Sequence, residues 1–314
     1  MTLEPSSLYG VIPPISTPMT PERAIDEQSF RTLIDALLDA GVHGIFALGS
    51  TSEAPLLSID NQDVVIATAV DQVAGRVPVL AGCIDFSTAR VIDRATRARE
   101  LGADGIVVCP PFYITPSRQE IVRHYQLVHD AVGLPILAYD IPSATHVKLE
   151  RPVLRELAQS GAITALKDSS GQDANFRGVV LDNRDLPDFR VFTGSELTAD
   201  NAMFVGATGL VPGLGNIDAA GFVRLYNAAV AGDWEAARKE QERLIRLFEI
   251  VNVPPQSEYG RSAAAHGAFK VALWLQGLIE HPDTAHPHTP LTREHARQIA
   301  EILRSCDLQV VNEA

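Results

Sequence analysis

One side chain limits the reactions that this protein could catalyse more than any other. It is a lysine at the end of an apolar run. Residues 163–167 read Ile-Thr-Ala-Leu-Lys, and Asp-Ser-Ser follows them. Burial of a lysine at such a position costs free energy unless its amine is paired with an anion or takes part in catalysis. A desolvated amine favours its neutral form, which attacks a ketone carbonyl and forms an imine with loss of water. Lys167 therefore predicts imine catalysis, whereas a lysine that reaches solvent or pairs with Asp168 would be structural.

Two further segments carry groups that suit this chemistry. Tyr139 ends the preceding apolar run, and a phenol one strand away from Lys167 can pass protons to and from a substrate. The turn Gly-Ser-Thr-Ser-Glu at 49–53 opens a helix, where free backbone N–H groups favour a carboxylate. Each segment also has a structural interpretation, a tyrosine ring in the core and a turn that caps a helix.

Eight short apolar, β-branched runs must position these groups. Each run is followed by a longer segment of helical periodicity. The runs are nearly continuous in hydrophobicity, as is typical of a parallel sheet covered on both faces. They cover residues 11–17, 44–48, 77–81, 105–109, 135–139, 163–167, 189–193 and 209–212.

Eight strand-then-helix units in one chain predict an α/β fold, a closed (β/α)8 TIM barrel. An open doubly wound sheet is the competing architecture, but no GxGxxG follows the first run and no change of composition marks a second domain. Barrel enzymes work at the carboxyl ends of their strands, which is where Lys167, Tyr139 and the 49–53 turn fall.

After the eighth unit the pattern changes to helices alone. Helical periodicity covers 234–251, 261–278 and 292–306, with Pro-rich loops between these segments. We therefore assign residues 1–232 to a catalytic barrel and residues 233–314 to a C-terminal extension of three helices. The loop 281–290 contains three histidines, but a Pro-interrupted histidine loop is more typical of a solvated linker than of a metal site. We predict neither a metal nor a cofactor.

Charge and composition exclude several classes of partner. The net charge of −13 at pH 7 leaves no basic surface for phosphates, which argues against nucleic acid and anionic membranes. No apolar run is long enough to span a bilayer, and the N-terminus shows no export signal. Cys83, Cys109 and Cys306 lack CxxC spacing, which favours a reducing compartment. We expect a cytoplasmic protein that acts on a small molecule.

The motifs at the strand ends occur in a specific order and spacing over nearly the whole chain. They resemble the dihydrodipicolinate synthase/N-acetylneuraminate lyase superfamily of Schiff-base-forming, pyruvate-dependent class I aldolases. The segments that carry the resemblance are PISTPM at 14–19, GSTSE at 49–53, PFY at 111–113, YDIP at 139–142, LKDS at 166–169 and GSE at 194–196.

This resemblance implies specific roles for individual residues. Lys167 matches the Schiff-base lysine and Tyr139 the acid/base tyrosine, while Ser50 and Thr51 match the pair that binds the carboxylate of the keto acid. Tyr113 matches an aromatic hydroxyl that commonly reaches into the site of a neighbouring subunit. The resemblance therefore implies a homotetramer built as a dimer of dimers.

Departures from the family pattern bear on the substrate. Dihydrodipicolinate synthases usually carry an arginine where this chain has Ala144, which argues against lysine biosynthesis. Asp140 replaces the usual Asn of the family. Ser52 replaces the usual Gly of the turn at 49–53, which we call the carboxylate turn. Ser50 in place of the first Thr is more similar to the sialic acid lyases and sugar-acid aldolases.

Residue chemistry and resemblance together predict a 2-keto acid aldolase or lyase. An iminium on Lys167 would let the C3–C4 bond of a 2-keto-3-deoxy sugar acid break into pyruvate and an aldehyde, with Tyr139 taking the proton of the C4 hydroxyl. The same iminium allows dehydration, and the distal pocket selects between the two reactions. Candidates for that pocket are Thr145, Ser169, Gly194, Ser195, Glu196 and Val211.

Four other interpretations stay open at this point. Dihydrodipicolinate synthesis ranks second and dehydration of a deoxy sugar acid third. A catalytically silent, ligand-binding barrel is the non-enzyme alternative, because fold does not imply function. A phosphate-binding barrel is also considered, since residues 209–215 read GLVPGLG.

Overall fold

Eight parallel strands form the centre of the computed structural model, which describes residues 7–313. Along the sheet they are ordered β1-β8-β7-β6-β5-β4-β3-β2, so consecutive strands from β2 to β8 are neighbours and β8 pairs with β1. The strands are β1 Gly10–Val11, β2 Ile45–Ala47, β3 Val79–Gly82, β4 Gly105–Val108, β5 Ile136–Asp140, β6 Ala165–Asp168, β7 Arg190–Thr193 and β8 Gly209–Leu210.

The residues that follow β1 bring it against β2. Phe46 N donates to Pro13 O at 3.1 Å, and Ile15 N donates to Phe46 O at 2.9 Å. Pro14 and Phe46 form an isolated parallel bridge. These contacts join the two ends of the strand order, and the arrangement matches a (β/α)8 barrel.

The first strand is shorter than the predicted run over 11–17. Pro13 and Pro14 lack the N–H group that a regular ladder needs, so β1 ends at Val11. The last strand ends at Leu210, two residues before the predicted run does, and Pro212 follows it. The predicted number and parallel direction of the strands are confirmed.

Helices link and follow the strands. Those of the barrel are α1 Glu27–Asp39, α2 Ile59–Val73, α3 Thr88–Glu100, α4 Arg118–Val132, α5 Pro142–Thr145, α6 Arg151–Gln159, α7 Asp173–Asp182, α8 Ala199–Phe204 and α9 Ala219–Val230. Among residues 7–313, no helix has the length and apolar character needed to cross a membrane.

The C-terminal part of the chain contains the three expected helices, α10 Trp234–Phe248, α11 Arg261–Leu275 and α12 Arg293–Ser305. Helix α11 is shorter than the predicted 261–278, because Gly277 adopts a left-handed conformation with φ of 74° that ends it. Helix α10 passes into a 3-10 turn at Glu249–Asn252. The division of the chain at residue 232 stays a prediction.

Two hydrophobic clusters lie on the two sides of the sheet. The outer cluster packs the sheet against its helices, and Leu244, Leu273 and Leu303 of the extension belong to it. The inner cluster fills the interior of the barrel with Leu8, Ile12, Phe46, Leu80, Val107, Cys109, Leu137, Tyr139, Ala165, Phe192 and Val211. The interior is therefore packed with side chains, and room for chemistry lies at the carboxyl ends of the strands.

Candidate active site

Lys167 lies on β6 with only 4% of its surface exposed. Its neighbours in register are Tyr139 on β5 and Phe192 on β7. Lys167 Nζ is 4.1 Å from the centroid of the Tyr139 ring and 5.2 Å from that of Phe46. Within residues 7–313 this amine has no hydrogen bond or ion pair. Asp168, its sequence neighbour, lies instead 3.9 Å from the Nζ of Lys148.

Tyr139 is buried, with 3% of its surface exposed. Its ring packs edge-on to Phe46, with centroids 6.5 Å apart and planes 83° apart. In the described part of the chain its hydroxyl forms no hydrogen bond. The phenol can therefore exchange a proton with a substrate without first leaving a protein partner.

The turn that contains Ser50 and Thr51 is held in place by hydrogen bonds of the Ser52 hydroxyl. Ser52 is fully buried; its hydroxyl accepts from Gly49 N at 3.1 Å and donates to Ile15 O at 2.5 Å. The backbone N–H groups of Ser50 and Thr51 donate to no residue among 7–313. Ser52, which departs from the family pattern, thus ties the turn to the segment after β1 and leaves two N–H groups for an anion.

Gly194 and Ser169 lie against the lysine. A Cβ on Gly194 would stand 2.0 Å from Ser169 Oγ and 3.0 Å from Lys167 Cε. Gly194 N donates to Asp168 O at 2.7 Å, which holds the segment after β7 close to β6. A side chain at position 194 would therefore displace Ser169 or the lysine.

Glu196 lies beside the carboxylate turn. Its Oε1 accepts from Leu214 N at 3.0 Å. A Cβ on Gly213 would stand 2.9 Å from Thr51 Oγ1 and 3.1 Å from Glu196 Oε1, so both side chains border the same glycine. Burial raises the pKa of Glu196, while the N–H of Leu214 and the charge of Lys167 oppose that rise. The structure thus brings Glu196 and Thr51 together.

Three of the predicted pocket residues have contacts within the protein. The Thr145 hydroxyl donates to Ile141 O at 3.0 Å inside its own turn. Ser195 Oγ accepts from Thr198 Oγ1 at 2.9 Å. Val211 packs in the inner cluster with 2% of its surface exposed. Two hydroxyls are thus bonded within their own turns, and Val211 shares the inner cluster with Tyr139. A role for the three residues in substrate binding stays a prediction.

Tyr113 projects from the rim of the barrel with 95% of its surface exposed. Its backbone has a φ of 71°, which is strained for a non-glycine residue, and its ring lies 6.5 Å from that of Phe86. So exposed a side chain does not contact the buried Lys167 of the same chain. A catalytic role for Tyr113 needs a second copy of the protein.

Asp140, which replaces the usual Asn of the family, has a cation beside it that compensates its charge. Asp140 is fully buried; one carboxylate oxygen pairs with Lys148 Nζ, and the other accepts from Leu149 N at 3.1 Å. Burial raises the pKa of Asp140, and Lys148 opposes that rise. Because side chains alternate along a strand, Asp140 faces away from the interior that Tyr139 enters.

Sequence reasoning missed the partners of Glu53, the residue that ends the carboxylate turn. Lys270 Nζ lies 2.5 Å from Glu53 Oε1, and Ala285 N donates to Oε2 at 2.7 Å. His288 Nδ1 is 3.4 Å from Oε2. Burial by itself would raise the pKa of Glu53, but His288 and Lys270 together lower it to about 2. A lysine amid the apolar residues of the second-last helical segment is the one sequence signal for this network.

The same region contains a group of metal-ligand types. Glu53, His266 and His288 offer atoms that all lie within 4.8 Å of one another. Burial lowers the pKa of His266 to about 4, so its ring is neutral at pH 7. Lys270 already provides a cation at the carboxylate, and the absence of a metal stays a prediction.

Comparison with known proteins gives the family. Residues 7–306 match the dihydrodipicolinate synthetase family. A protein of Halobacterium salinarum named an uncharacterized DapA-like lyase is 37% identical over 283 residues, which cover 89% of this chain and 88% of the relative. A 4-hydroxy-tetrahydrodipicolinate synthase of Nitrobacter hamburgensis is 34% identical over 245 residues, covering 78% of this chain and 80% of the relative.

Solved structures agree with this assignment. YagE, a prophage protein from E. coli K12 of the dihydrodipicolinic acid synthase family, was crystallised in complex with pyruvate; it superposes with a TM-score of 0.89 at 29% identity and covers 96% of this chain and 99% of its own. Dihydrodipicolinate synthase from Bacteroides thetaiotaomicron gives a TM-score of 0.89 at 30% identity, with 95% and 98% covered. The chain belongs to the dihydrodipicolinate synthetase family and is a carbon–carbon lyase.

Proposed function

We propose that this lyase holds a 2-keto acid as a Schiff base on Lys167 and cleaves or forms a 2-keto-3-deoxy sugar acid. Pyruvate and an aldehyde are the other reactants. The observation that carries the proposal is a lysine with 4% of its surface exposed, whose amine has no ion pair or hydrogen bond within residues 7–313. A buried amine without a structural partner is suited to act as a nucleophile.

Binding of the carboxylate comes first in this mechanism. The hydroxyls of Ser50 and Thr51 and their unused N–H groups hold the keto acid at the carboxyl end of β2. The neutral amine of Lys167 then attacks the C2 carbonyl. Loss of one water molecule gives an iminium, whose positive charge draws electrons from the neighbouring carbon.

Cleavage of the C3–C4 bond becomes possible because the iminium withdraws electrons. Tyr139 removes the proton of the C4 hydroxyl, the electrons of the C3–C4 bond move into the iminium, and the aldehyde departs. An enamine of pyruvate stays on Lys167. Protonation at C3 and addition of water then release pyruvate and restore the amine.

The choice of a sugar acid rests on the groups around the lysine. Ser169 and Glu196 supply a hydroxyl and a carboxylate that suit a polyhydroxylated chain. Synthesis of 4-hydroxy-tetrahydrodipicolinate is the second candidate, because relatives such as that of Nitrobacter hamburgensis carry this name. It is disfavoured by Ala144, an exposed residue of α5 that offers no cation to a second carboxylate. Dehydration of a deoxy sugar acid uses the same iminium.

Assembly into a homotetramer belongs to the same proposal. Tyr113 is almost fully exposed in one chain, so its proposed hydroxyl contact requires the site of a neighbouring subunit. Sedimentation velocity gives the oligomeric state. Tyr113→Phe should lower turnover without changing that state, because it removes the hydroxyl and keeps the ring.

Borohydride trapping tests the Schiff base directly. The protein is incubated with pyruvate and sodium borohydride, and its intact mass and peptide map are measured. A reduced pyruvyl adduct on Lys167 is expected, and none on the Lys167→Ala variant. Absence of an adduct from the parent protein would overturn the proposal. Protection against thermal unfolding by inorganic phosphate would then favour the phosphate-binding barrel. A screen of aldehydes with pyruvate identifies the second substrate.

A further inference from the structure

The C-terminal extension contacts the carboxylate turn through one buried ion pair. Lys270 on α11 and Glu53 at the end of the turn each have about 1% of their surface exposed, and their charged atoms lie 2.5 Å apart. Glu53 N donates to Ser50 O at 2.9 Å, so the carboxylate and the turn belong to one hydrogen-bonded unit. This places a residue of the extension two contacts away from the predicted anion site.

We infer that Glu53 and Lys270 are positioning residues, which hold Ser50 and Thr51 in the conformation that binds the substrate carboxylate. The inference deepens the proposed function and rests on it, since it concerns the affinity of that site for a 2-keto acid. It gives the extension a part in substrate recognition.

The network around Glu53 is fixed on the extension side. Lys270 Nζ also donates to Asp283 O at 2.7 Å, and the Ala285 N–H reaches the second oxygen of Glu53 at 2.7 Å. His288 lies against that same oxygen at 3.4 Å. Glu53 is thus held at both oxygens by α11 and by the loop that follows it. A buried carboxylate with an ion pair at one oxygen and a hydrogen bond at the other has little freedom to move.

The backbone of the turn explains why such an anchor is needed. Leu48 and Glu53 both have a φ of 59°, in the left-handed region that non-glycine residues avoid. The surrounding structure must therefore supply the free energy that keeps the turn in this shape. Ser52 supplies part of it from the side of β1, and the Glu53–Lys270 pair supplies it from the side of the extension.

Binding and chemistry should respond differently to loss of this anchor. Lys167 and Tyr139 stand on β6 and β5, and neither contacts Glu53 or Lys270. Release of the turn should therefore weaken carboxylate binding and leave the imine step intact once the site is saturated. A residue needed only for folding would lower the amount of folded protein without such a separation.

A metal ion is the competing occupant of this region, since Glu53, His266 and His288 are potential ligands. The ammonium of Lys270 already neutralises the carboxylate, and a divalent cation beside it would be repelled. We therefore assign the positive charge at Glu53 to Lys270.

Lys270→Met and the double variant Glu53→Gln/Lys270→Met test the inference. The single variant leaves a buried carboxylate without its main partner and can fail to fold, whereas the double variant removes both charges and keeps the shape. Arg243→Met is the matched control. Arg243 of α10 also forms a partly buried ion pair of the extension, with Asp218, but has no contact with the carboxylate turn.

Trapping with borohydride is measured over a range of pyruvate concentrations for each folded variant. The half-saturating concentration should rise about tenfold or more in the double variant, because hydrogen bonds to a charged ligand contribute roughly that much to binding. The maximal adduct yield should stay at the parent level, and Arg243→Met should leave both quantities unchanged. Amide hydrogen exchange over residues 48–56 should be faster in the double variant than in the control.

The possible results separate this inference from the proposed function. An unchanged half-saturating concentration in a folded double variant would overturn the inference, although adduct formation on Lys167 would still support the Schiff base. An equal rise in Arg243→Met would also overturn it, because the effect would then be general loosening of the extension. A loss of trapping on chelation, restored by Zn²⁺, would assign the cluster to a metal. No adduct in the parent would remove the proposed function itself.

Discussion

Lys167 and Tyr139 are direct cross-strand partners on β6 and β5, and the amine of the first lies 4.1 Å from the ring centroid of the second. The amine therefore meets the face of the ring, and the hydroxyl extends beyond it. This geometry lets one residue form a covalent bond to C2 of a substrate while the other reaches an oxygen further along the carbon chain. It also lets the negative face of the ring stabilise the positive charge of the iminium.

Lys167→Ala should reduce turnover to the background rate. The variant lacks the only group proposed to form the imine, and its fold should persist because alanine fits the apolar surroundings of β6. Steady-state assays with far-UV circular dichroism check both parts. Turnover near the parent level would rule out the imine mechanism.

Tyr139→Phe should keep adduct formation and slow turnover by about 10²–10⁴-fold, the usual contribution of a positioned acid or base. Tyr125→Phe is the matched control, because Tyr125 is fully buried and its hydroxyl donates to Val108 O at 3.0 Å outside the site. The control should lose stability but not turnover. Equal rates for Tyr139→Phe and the parent would contradict the assigned role.

Gly194→Ala should impair activity more than stability. Its Cβ would overlap Ser169 Oγ at 2.0 Å and press on Lys167 Cε at 3.0 Å, so the Ser169 hydroxyl must move and the lysine must shift slightly. Gly260→Ala serves as a control, because a Cβ there meets no atom within 4 Å. Rates and melting temperatures of both variants give the comparison. A fully active Gly194→Ala would show that the lysine tolerates displacement.

The stability of the protein should fall as the pH drops from about 6.5 toward 4, and His266 should contribute to that fall. Burial lowers the pKa of His266 to about 4 in the folded state, whereas the unfolded chain binds a proton near its ordinary value of 6.5. The unfolded state therefore takes up more protons in this window, and unfolding becomes easier. His266→Gln should flatten the dependence in urea titrations at pH 7 and pH 5, and His129→Gln should not. Parallel curves for His266→Gln and the parent would contradict this assignment.

The Glu53 carboxylate should make the stability of the protein depend on pH in a second, more acidic range. Its pKa of about 2 lies below the ordinary value of 4.5, so the stabilisation it provides is present above pH 4.5 and is lost as the pH falls toward 2. The double variant Glu53→Gln/Lys270→Met should have a free energy of unfolding that depends less on pH in that range than that of the parent protein. If the dependence of stability on pH in this acidic range is unchanged, other carboxylates dominate it.

Chelators should leave turnover unchanged, because an iminium performs the electron withdrawal that a metal ion performs in class II aldolases. Assays before and after dialysis against EDTA give the measurement. A loss of activity that Zn²⁺ or Mg²⁺ restores would contradict both this expectation and the absence of a metal near His288.

Sequence reasoning succeeded where local patterns carry the information. The apolar runs predicted eight parallel strands, and the lysine that ends the sixth run lies on β6 beside Tyr139 as the order of the strands requires. It failed where contacts join distant parts of the chain. Glu53 and Lys270 are separated by most of the protein, and no periodicity relates them.

The distal pocket shows what the sequence leaves open. Thr145 and Ser195 are predicted pocket residues because polar residues at strand ends often meet substrates, and in the structure their hydroxyls bond to atoms of their own turns. The competition between a local hydrogen bond and a ligand depends on backbone torsion angles that composition does not encode. Glu196 was chosen by the same reasoning, and the structure places it beside Thr51.

The packed interior of the barrel has a kinetic consequence. Because the inner cluster, from Leu8 to Val211, fills the interior of the barrel, we expect the site to have a single mouth at the carboxyl ends of the strands. Reactants and products must share that mouth, and under the proposed mechanism the pyruvyl fragment is covalently bound when the aldehyde forms. The aldehyde must then leave first and pyruvate last, so cleavage should follow an ordered uni-bi scheme in which pyruvate inhibits competitively.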